Sequence, residues 1–314
     1  MTTTTPDAVV IGYGPVGATV VDQLIGAGRR VRVVTRSGSG PNGAERIVAD
    51  AGDPSAIAAA IGDSPSVYMC FHAPYSAKAW AAMLPGMEAG VLAHAAATGA
   101  AVATAESLYA FDATAGPISA TTPLRPVSRK GEVRRTLLAA RTASDARVVS
   151  VVAGDFVGPR VVMAHAGDRM MVPLLAGKTL RPVGDIDQPH AFTHVPDLAA
   201  AMIRATTLDG IGHEVVMAPS AGSLTMRDLI ARAAAAAEID NPAVAPVSAR
   251  LLALIGLLSP TMREVSEMSY QFTAPFEVDA RDGERRLALA ATPWEQAIAE
   301  TVAWWRARDL STVR

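Results

Sequence analysis

The feature that most constrains this chain is a glycine-rich turn near its start. The turn is Gly12-Tyr13-Gly14-Pro15-Val16-Gly17. It follows a short apolar run and precedes a stretch with helical spacing, so it is predicted to join a buried strand to a helix. The first glycine permits the tight turn, the second lets backbone approach a pyrophosphate, and the third lets the helix lie close to the strand. We therefore predict a dinucleotide site at these six residues, with phosphate on the helix N-terminus.

Strand-like and helical runs alternate over the first half of the chain. Strands are predicted at 8–11, 31–35, 46–49, 67–71, 101–104 and 148–152. The helices between them include 76–98, which Pro85 and Gly86 are expected to bend or break, and 131–143. This alternation predicts an α/β fold, a Rossmann-type doubly wound parallel sheet with a smaller, interleaved, mainly helical C-terminal lobe. The dinucleotide-binding domain is expected over 1–160, with later returns near 190–218, and the substrate lobe over 161–314.

Composition excludes several classes of function. The chain has a formal net charge of -2 and no basic stripe, so nucleic acid is not an expected partner. Its apolar runs are too short for a membrane span, and no signal peptide is visible, so we expect a cytoplasmic protein without a membrane partner. The single cysteine, Cys70, fits a reducing compartment. No cluster has metal-ligand spacing, so no metal is predicted.

The end of the second predicted strand indicates the type of cofactor. A NAD-specific site usually carries a carboxylate there for the ribose hydroxyls, whereas this chain has Thr35-Arg36-Ser37. A guanidinium can bind a 2′-phosphate through two parallel hydrogen bonds. NADP(H) is therefore favoured over NAD(H), and the alternative is that Arg36 is an ordinary surface arginine.

Further cofactor contacts are predicted where the third and fourth strands end. Asp50 closes the third strand and is expected near the adenine. The sequence Phe71-His72-Ala73 closes the fourth, where the chain passes the cofactor ribose. His72 could bind a ribose or a substrate, and the equally weighted alternative is a buried histidine whose hydrogen bonds are satisfied within the protein.

Several motifs together resemble the extended branch of the short-chain dehydrogenase/reductase superfamily, the NAD-dependent epimerase/dehydratase-like proteins. They are the glycine turn and the stretches 49–53, 107–110, 155–159 and 192–197. The resemblance covers nearly the whole chain and implies a small-molecule substrate, with nucleotide sugars as one class. It also implies that a homodimer could form through the helices at 76–98 and 131–143.

The chain departs from this family at the usual catalytic dyad, which makes it an atypical member. The family pairs a tyrosine with a lysine four residues later, and Lys130 is present here but Pro126 occupies the tyrosine's position. The resemblance still implies that Lys130 binds the nicotinamide ribose. Proton transfer would need another group, and Tyr109 is the first choice, although it could equally be a packing residue.

Other polar residues are expected at the same sheet edge, since doubly wound sheets place their sites at the carboxyl ends of strands. Tyr75, Glu106 and Asp155 are predicted there as substrate-binding residues. Three functions remain open at this point. They are an NADP(H)-dependent oxidoreductase acting on a small carbonyl or alcohol, a non-catalytic NADP(H)-binding sensor or regulator, and a nucleotide-sugar epimerase or dehydratase.

Overall fold

The structure, a computed structural model, describes residues 5–210 and 212–308. Eleven strands lie within the described residues. They are β1 (Ala8–Ile11), β2 (Val31–Thr35), β3 (Glu45–Val48), β4 (Ser66–Met69), β5 (Ala101–Ser107), β6 (Arg147–Ala153), β7 (Asp155–Val157), β8 (Pro189–His190), β9 (Phe192–His194), β10 (His213–Met217) and β11 (Leu224–Thr225).

The α-helices separate these strands and continue to the end of the described chain. They are α1 (Pro15–Gly26), α2 (Pro54–Ile61), α3 (Ala77–Thr98), α4 (Arg129–Thr142), α5 (Asp168–Leu175), α6 (Val195–Ala205), α7 (Met226–Ala236), α8 (Ala249–Leu258), α9 (Pro260–Glu267), α10 (Arg281–Leu287) and α11 (Trp294–Arg306). Two 3₁₀ turns follow β5 and α9, at Leu108–Ala110 and Ser269–Phe272. No helix in this part of the chain has the length and apolar character needed to cross a bilayer.

Seven strands form one parallel sheet in the order β10-β6-β5-β4-β1-β2-β3. Residue pairs such as Val10 with Val33 and Val10 with Tyr68 fix the register at its centre. Apolar clusters cover both faces, because crossover helices pack on each side of a parallel sheet. The predicted α/β fold with a parallel Rossmann-like sheet and a helical C-terminal region is confirmed.

The strand order places the ligand-binding edge. The chain moves outward from β1 to β3, then returns to β4 on the other side of β1. Helices that leave neighbouring strands in opposite directions open a crevice at the carboxyl ends of those strands, and ligands of such sheets bind there. The loops after β1, β4, β5 and β6 all meet at this edge.

A separate apolar core holds the C-terminal lobe together. Helices α5, α7 and α11 pack around Trp305, which is fully buried, and Met171. Strand β10 returns to the main sheet beside β6, and the short pair β7–β9 leads from the sheet into the lobe. The division of the chain at residue 160 stays a prediction.

The expectation that Pro85 and Gly86 break the helix at 76–98 is wrong, whereas the alternative of a bend stays a prediction. Helix α3 runs unbroken through Pro85 for 22 residues and ends at Gly99, whose φ of 76° is the left-handed conformation that suits glycine. A proline inside a helix removes only one amide donor, and the buried face around Trp80 and Leu84 keeps the helix packed on the sheet.

Candidate functional site

The glycine turn has the geometry that backbone contact with a ligand requires. Gly12 has a φ of 99°, and a Cβ there would lie 2.6 Å from the carbonyl oxygen of Cys70. A Cβ at Gly17 would lie 2.1 Å from the carbonyl oxygen of Gly12, so this glycine lets α1 lie against β1. A Cβ at Gly14 would meet nothing within 4 Å. The protein's own packing therefore requires Gly12 and Gly17, while Gly14 faces open space before the α1 N-terminus, as a phosphate cradle does.

The other residues of the turn begin helix α1 or pack against the apolar core. Pro15 is at the first position of α1, where its missing amide costs no helical hydrogen bond. Val16 is buried and Tyr13 is partly buried, and both pack on the apolar cluster beneath the turn. Burial raises the pKa of Tyr13, and the nearby Asp22 carboxylate adds to that effect.

The loop after β2 presents an available cation. Arg36 is exposed and forms no ion pair with any residue that the structure describes. Thr35 donates to the Ser39 carbonyl oxygen at 3.2 Å, and Ser37 donates to the Ser39 hydroxyl at 3.0 Å. These bonds close the loop upon itself and leave the guanidinium free for an anionic ligand.

The loop after β3 borders a shallow cavity of about 470 Å³. Asp50 accepts a hydrogen bond from the Gly52 amide at 2.9 Å, which shapes the loop. Asp53 caps α2, since its carboxylate accepts from the amides of Ser55 and Ala56. Across the cavity lie Met83 and Gly86 of α3. Asp50 thus lies beside an open depression, and its predicted contact with adenine remains a prediction.

His72 has both of its ring nitrogens satisfied within the protein. Nδ1 donates to the Ala73 carbonyl oxygen at 2.6 Å, and Nε2 accepts from Arg134 at 3.1 Å. Desolvation and the charge of Arg134 together lower the pKa of His72 to about 4. Phe71 and Ala73 pack into the cluster beneath the same edge. His72 itself is exposed although both ring nitrogens have partners within the protein, so its contact with a ribose or a substrate stays a prediction.

Lys130 is fully buried, and its ammonium group is bound by the C-terminal lobe. It forms ion pairs with Glu264 and with Glu267, the latter at 3.3 Å, and donates to the Glu264 carbonyl oxygen at 3.1 Å. Its Nζ also lies 4.7 Å from the ring centre of Tyr75. Three acceptors use the three N–H groups of an ammonium ion. In this arrangement Lys130 has no donor left for a ribose, so contact with a cofactor requires α9 to move.

Glu106 belongs to a buried network of charges rather than to an open pocket. Its side chain has no exposed surface and accepts from Arg141 at 2.7 Å, while Arg134 lies 3.4 Å away. Arg141 also bonds Glu88 at 2.6 Å, which ties α4 to α3. Burial raises the pKa of Glu106, but the charges of Arg134 and Arg141 outweigh it, so the pKa lies below its usual range. The structure does not support the prediction that Glu106 binds substrate, because its oxygens are used within the core.

Tyr75 and Tyr109 flank the buried ring of Trp80. The Tyr109 ring lies parallel to it with centres 6.4 Å apart, and the Tyr75 ring meets it edge-on at 5.9 Å. Burial raises the pKa of both phenols, and the Asp155 carboxylate raises them further. Tyr75 keeps 44% of its surface exposed. Both hydroxyls therefore stay protonated and can donate hydrogen bonds at the sheet edge, where they were predicted.

Asp155 lies beside these tyrosines and forms a close pair with His190. Asp155 begins β7, and its Oδ2 lies 3.1 Å from the Nε2 of His190. His190 is held between aromatic rings, with Phe272 stacked on it at 4.8 Å, and only 4% of its side chain is exposed. Burial raises the pKa of Asp155, but the hydrogen bond and charge of His190 outweigh it and hold the pKa below its usual range.

Sequence reasoning missed the contribution of the 3₁₀ turn after α9. Tyr270 packs edge-on against Phe276 at 5.9 Å, interacts with the Ser128 hydroxyl, and lies close enough to Asp155 for that carboxylate to raise its pKa. Phe272 also stacks on His165 at 4.6 Å. No local motif signals this turn, because Ser128, Asp155 and His165 lie more than a hundred residues earlier in the chain. Within the described residues, no three His, Cys, Asp or Glu side chains are placed to hold a metal ion.

Comparison with known proteins agrees with this architecture. The NAD dependent epimerase/dehydratase family matches residues 8–218, about two thirds of the chain. No curated protein sequence is significantly similar to the chain. The match spans the whole sheet, including its last strand.

Solved structures of low sequence identity share the fold. MoeE5 in complex with UDP-glucose and NAD has a TM-score of 0.76 at 20% identity, covering 96% of this chain and 98% of MoeE5. The UDP-N-acetylglucosamine 4-epimerase from Bacillus cereus has a TM-score of 0.77 at 13% identity, covering 96% of this chain and 100% of that enzyme. The Bordetella bronchiseptica enzyme WbmH in complex with NAD+ has a TM-score of 0.76 at 17% identity, covering 96% of this chain and 99% of WbmH. At these identities the similarity establishes the fold, the C-terminal lobe included.

Proposed function

Because the chain belongs to the NAD dependent epimerase/dehydratase family, we propose that it is an enzyme that moves a hydride between a nicotinamide dinucleotide and a substrate carbon bearing a hydroxyl or carbonyl group. The observation that carries the proposal is the open notch at Gly14, which shares a sheet edge with the polar cluster of Tyr75, Tyr109 and Asp155. The dinucleotide, when bound, supplies the hydride acceptor or donor. The chain's own residues bind it, orient the substrate and move the proton.

The glycine turn would hold the pyrophosphate. The amides at the start of α1 have no helical partners, and they face the space that Gly14 leaves open. The positive end of the α1 dipole adds to the attraction for phosphate. Asp50 and Phe71, in the loops after β3 and β4, would flank the adenosine.

We favour NADP(H) over NAD(H) because Arg36 offers a free guanidinium and residues 35–37 offer no carboxylate. MoeE5 and WbmH were solved with NAD, so the preference of this chain has to be measured rather than carried over. A charge-assisted hydrogen bond contributes about 1.5 kcal/mol, which is about tenfold in affinity. Arg36→Ala should weaken NADPH binding about tenfold and leave NADH binding unchanged. Arg181→Ala, at another exposed arginine, should change neither, and an unchanged NADPH affinity in Arg36→Ala would refute the preference.

Nucleotide sugars are the first substrate class to test. Both nucleotide-sugar proteins described above match this chain over its lobe as well as its sheet, and we expect the lobe to form the substrate side of the site. Tyr109 and the half-exposed Tyr75 would donate hydrogen bonds to the substrate oxygen at which oxidation or reduction occurs. Simple ketones, aldehydes and quinones form the comparison set.

The test incubates the purified protein with NADP(H) or NAD(H) and panels of UDP-sugars, GDP-sugars, small carbonyls and alcohols. Nicotinamide absorbance reports net oxidation or reduction, and chromatography of the sugars reports epimers and dehydrated products. Turnover on nucleotide sugars alone supports the family-type reaction, and turnover on small carbonyls alone supports a simple oxidoreductase.

A non-catalytic dinucleotide-binding protein is the second candidate, and one observation favours it. The Lys130 ammonium is bound by Glu264 and Glu267, and we expect Pro126 to occupy the position of the family's tyrosine. Tight dinucleotide binding without turnover across both panels would favour this candidate over the enzyme.

A homodimer through α3 and α4 is the assembly that we propose. These helices pack against each other on one face of the sheet, joined by the Arg141–Glu88 pair, and α3 carries the partly exposed Met83. Light scattering coupled to gel filtration measures the mass directly, and a monomer at all concentrations would contradict the proposal.

A further inference from the structure

We propose that Asp155 is the group that accepts and returns the substrate proton, with His190 as its positioning residue, in place of the family's missing tyrosine. The proposal rests on the redox function proposed above. It assigns proton transfer to Asp155, in addition to substrate binding, and assigns the positioning of that carboxyl group to the His190 imidazole.

The contacts of His190 hold the Asp155 carboxyl group in position. Nδ1 lies 3.1 Å from the carbonyl oxygen of Gln271, and Nε2 lies 3.1 Å from Oδ2 of Asp155. The imidazole is thus held on both sides, and it orients the carboxyl group through Oδ2.

The carboxyl group of Asp155 is placed to exchange a proton with a ligand. One oxygen faces His190, whereas 18% of the side chain is exposed at the sheet edge. Oδ1 has no hydrogen-bond partner among the residues that the structure describes, so it is available. The titratable groups that face Asp155 come from five different segments and are His165, His190, Tyr75, Tyr109 and Tyr270.

The neighbouring groups are less suited to accept a proton. Burial raises the pKa of the phenols of Tyr75, Tyr109 and Tyr270, so they stay protonated at neutral pH and serve as donors. Burial lowers the pKa of His165 to about 4, and the charges of His190 and Arg169 also lower it. Glu264 and Glu267 also lie near Tyr75, but Lys130 pairs with both of them. Asp155 is a carboxylate whose pKa His190 holds below its usual range, and its Oδ1 has no partner among the described residues.

The step balances as a proton transfer coupled to hydride transfer. As the substrate alcohol is oxidised, its O–H bond breaks and the proton bonds to Oδ1 of Asp155. The C–H electron pair leaves as hydride to the oxidised nicotinamide dinucleotide, and a C=O bond forms. In the reverse direction Asp155 returns the proton to the oxygen as hydride reaches the carbon. Tyr109 donates a hydrogen bond to that oxygen throughout.

Variants at the pair test the role with the dinucleotide and the substrate found in the panels above. Asp155→Asn keeps the shape of the side chain but accepts no proton, so kcat should fall about a hundredfold or more while dinucleotide affinity stays within about twofold. His190→Gln removes the charge behind Asp155. Burial then raises the carboxyl pKa, and the acidic limb of the kcat profile should move to higher pH. His213→Gln, which alters a histidine at the far edge of the sheet, should leave kcat and its pH profile unchanged.

Tyr109→Phe distinguishes this proposal from the alternative that Tyr109 transfers the proton. We expect it to lower kcat less than Asp155→Asn does. The reverse order, or a His190→Gln variant whose pH profile is unmoved, would overturn the assignment. Failure of the wild-type protein to bind a dinucleotide would instead refute the proposed function.

Nitrogen-15 NMR of the histidine rings tests the contact between His190 and Asp155 without any substrate. Asp155→Asn should change the signal of His190 Nε2, which lies 3.1 Å from Asp155 Oδ2, and should leave the His213 signals unchanged. An unchanged His190 signal in Asp155→Asn would contradict the assignment, whatever the panels show.

Discussion

We expect Gly14→Ala to abolish tight dinucleotide binding without lowering the stability of the fold. The φ of Gly14 is -82°, which alanine adopts without strain, and its Cβ would meet nothing within 4 Å. Alanine also reduces the freedom of the unfolded chain, which favours folding by about 0.4–1 kcal/mol. The free energy of unfolding should therefore stay equal or rise slightly.

The loss of affinity follows from the space that the added methyl group would occupy. The methyl stands where the pyrophosphate approaches the backbone, so we expect one or two phosphate hydrogen bonds to be lost. At about 1.5–3 kcal/mol for each charge-assisted bond, affinity should fall by roughly two orders of magnitude or more. Calorimetric titration with NADPH measures this loss, and thermal unfolding of the same samples without ligand measures stability.

Two matched glycines complete the experiment. Gly26→Ala lies in the same helix, where a Cβ also meets nothing within 4 Å, so stability and affinity should both be retained. Gly17→Ala places a Cβ 2.1 Å from the Gly12 carbonyl oxygen and should destabilise the fold by itself. Wild-type affinity in Gly14→Ala would refute the placement of the pyrophosphate, and a lowered melting temperature would refute the claim of open space.

Three further outcomes follow from the buried groups. Arg141→Met leaves the buried Glu88 without its ion-pair partner and leaves Glu106 with Arg134 alone, so it should cost about 3–5 kcal/mol of unfolding free energy, whereas Arg135→Met at an exposed pair should cost under about 1 kcal/mol. Loss of the Arg141 charge raises the pKa of Glu106 relative to the wild-type protein, because Arg134 alone then opposes the effect of burial, so the stability deficit measured by urea unfolding should be smaller at pH 5 than at pH 8. Because burial raises the pKa of Cys70 to about 12, its thiol should react with a disulfide reagent only after denaturation. Lys130→Met should lower the urea midpoint because Glu264 and Glu267 lose their buried cation and keep only the exposed Arg129, and unchanged NADPH affinity in that variant would show that Lys130 serves the lobe rather than the ribose.

The sheet and the cofactor turn could be predicted from the sequence because their signals are local. A glycine spacing between a β-branched run and a helical run fixes both the strand–helix unit and the face that meets a phosphate. The confirmed fold was predicted from six strand-like runs separated by helical runs. Only the edge strand β10 and the short lobe strands depend on pairings that a local pattern does not specify.

The polar groups at the site could not be assigned from the sequence, because their partners lie far along the chain. Lys130 meets Glu264, 134 residues later, and His190 meets Asp155, 35 residues earlier. The position of Glu106 at a strand end predicts access to the cleft, yet Arg141 holds its carboxylate inside the core. Whether a charged group serves a ligand or a neighbour depends on which side chains the folded chain brings beside it.

The most direct test is calorimetric titration of the wild-type protein with NADP+ and with NAD+ at neutral pH. The account predicts a single saturable site per chain, with tighter binding of NADP+. The absence of binding heat with either dinucleotide would contradict the central claim that the turn formed by Gly12, Gly14 and Gly17 holds a nicotinamide dinucleotide.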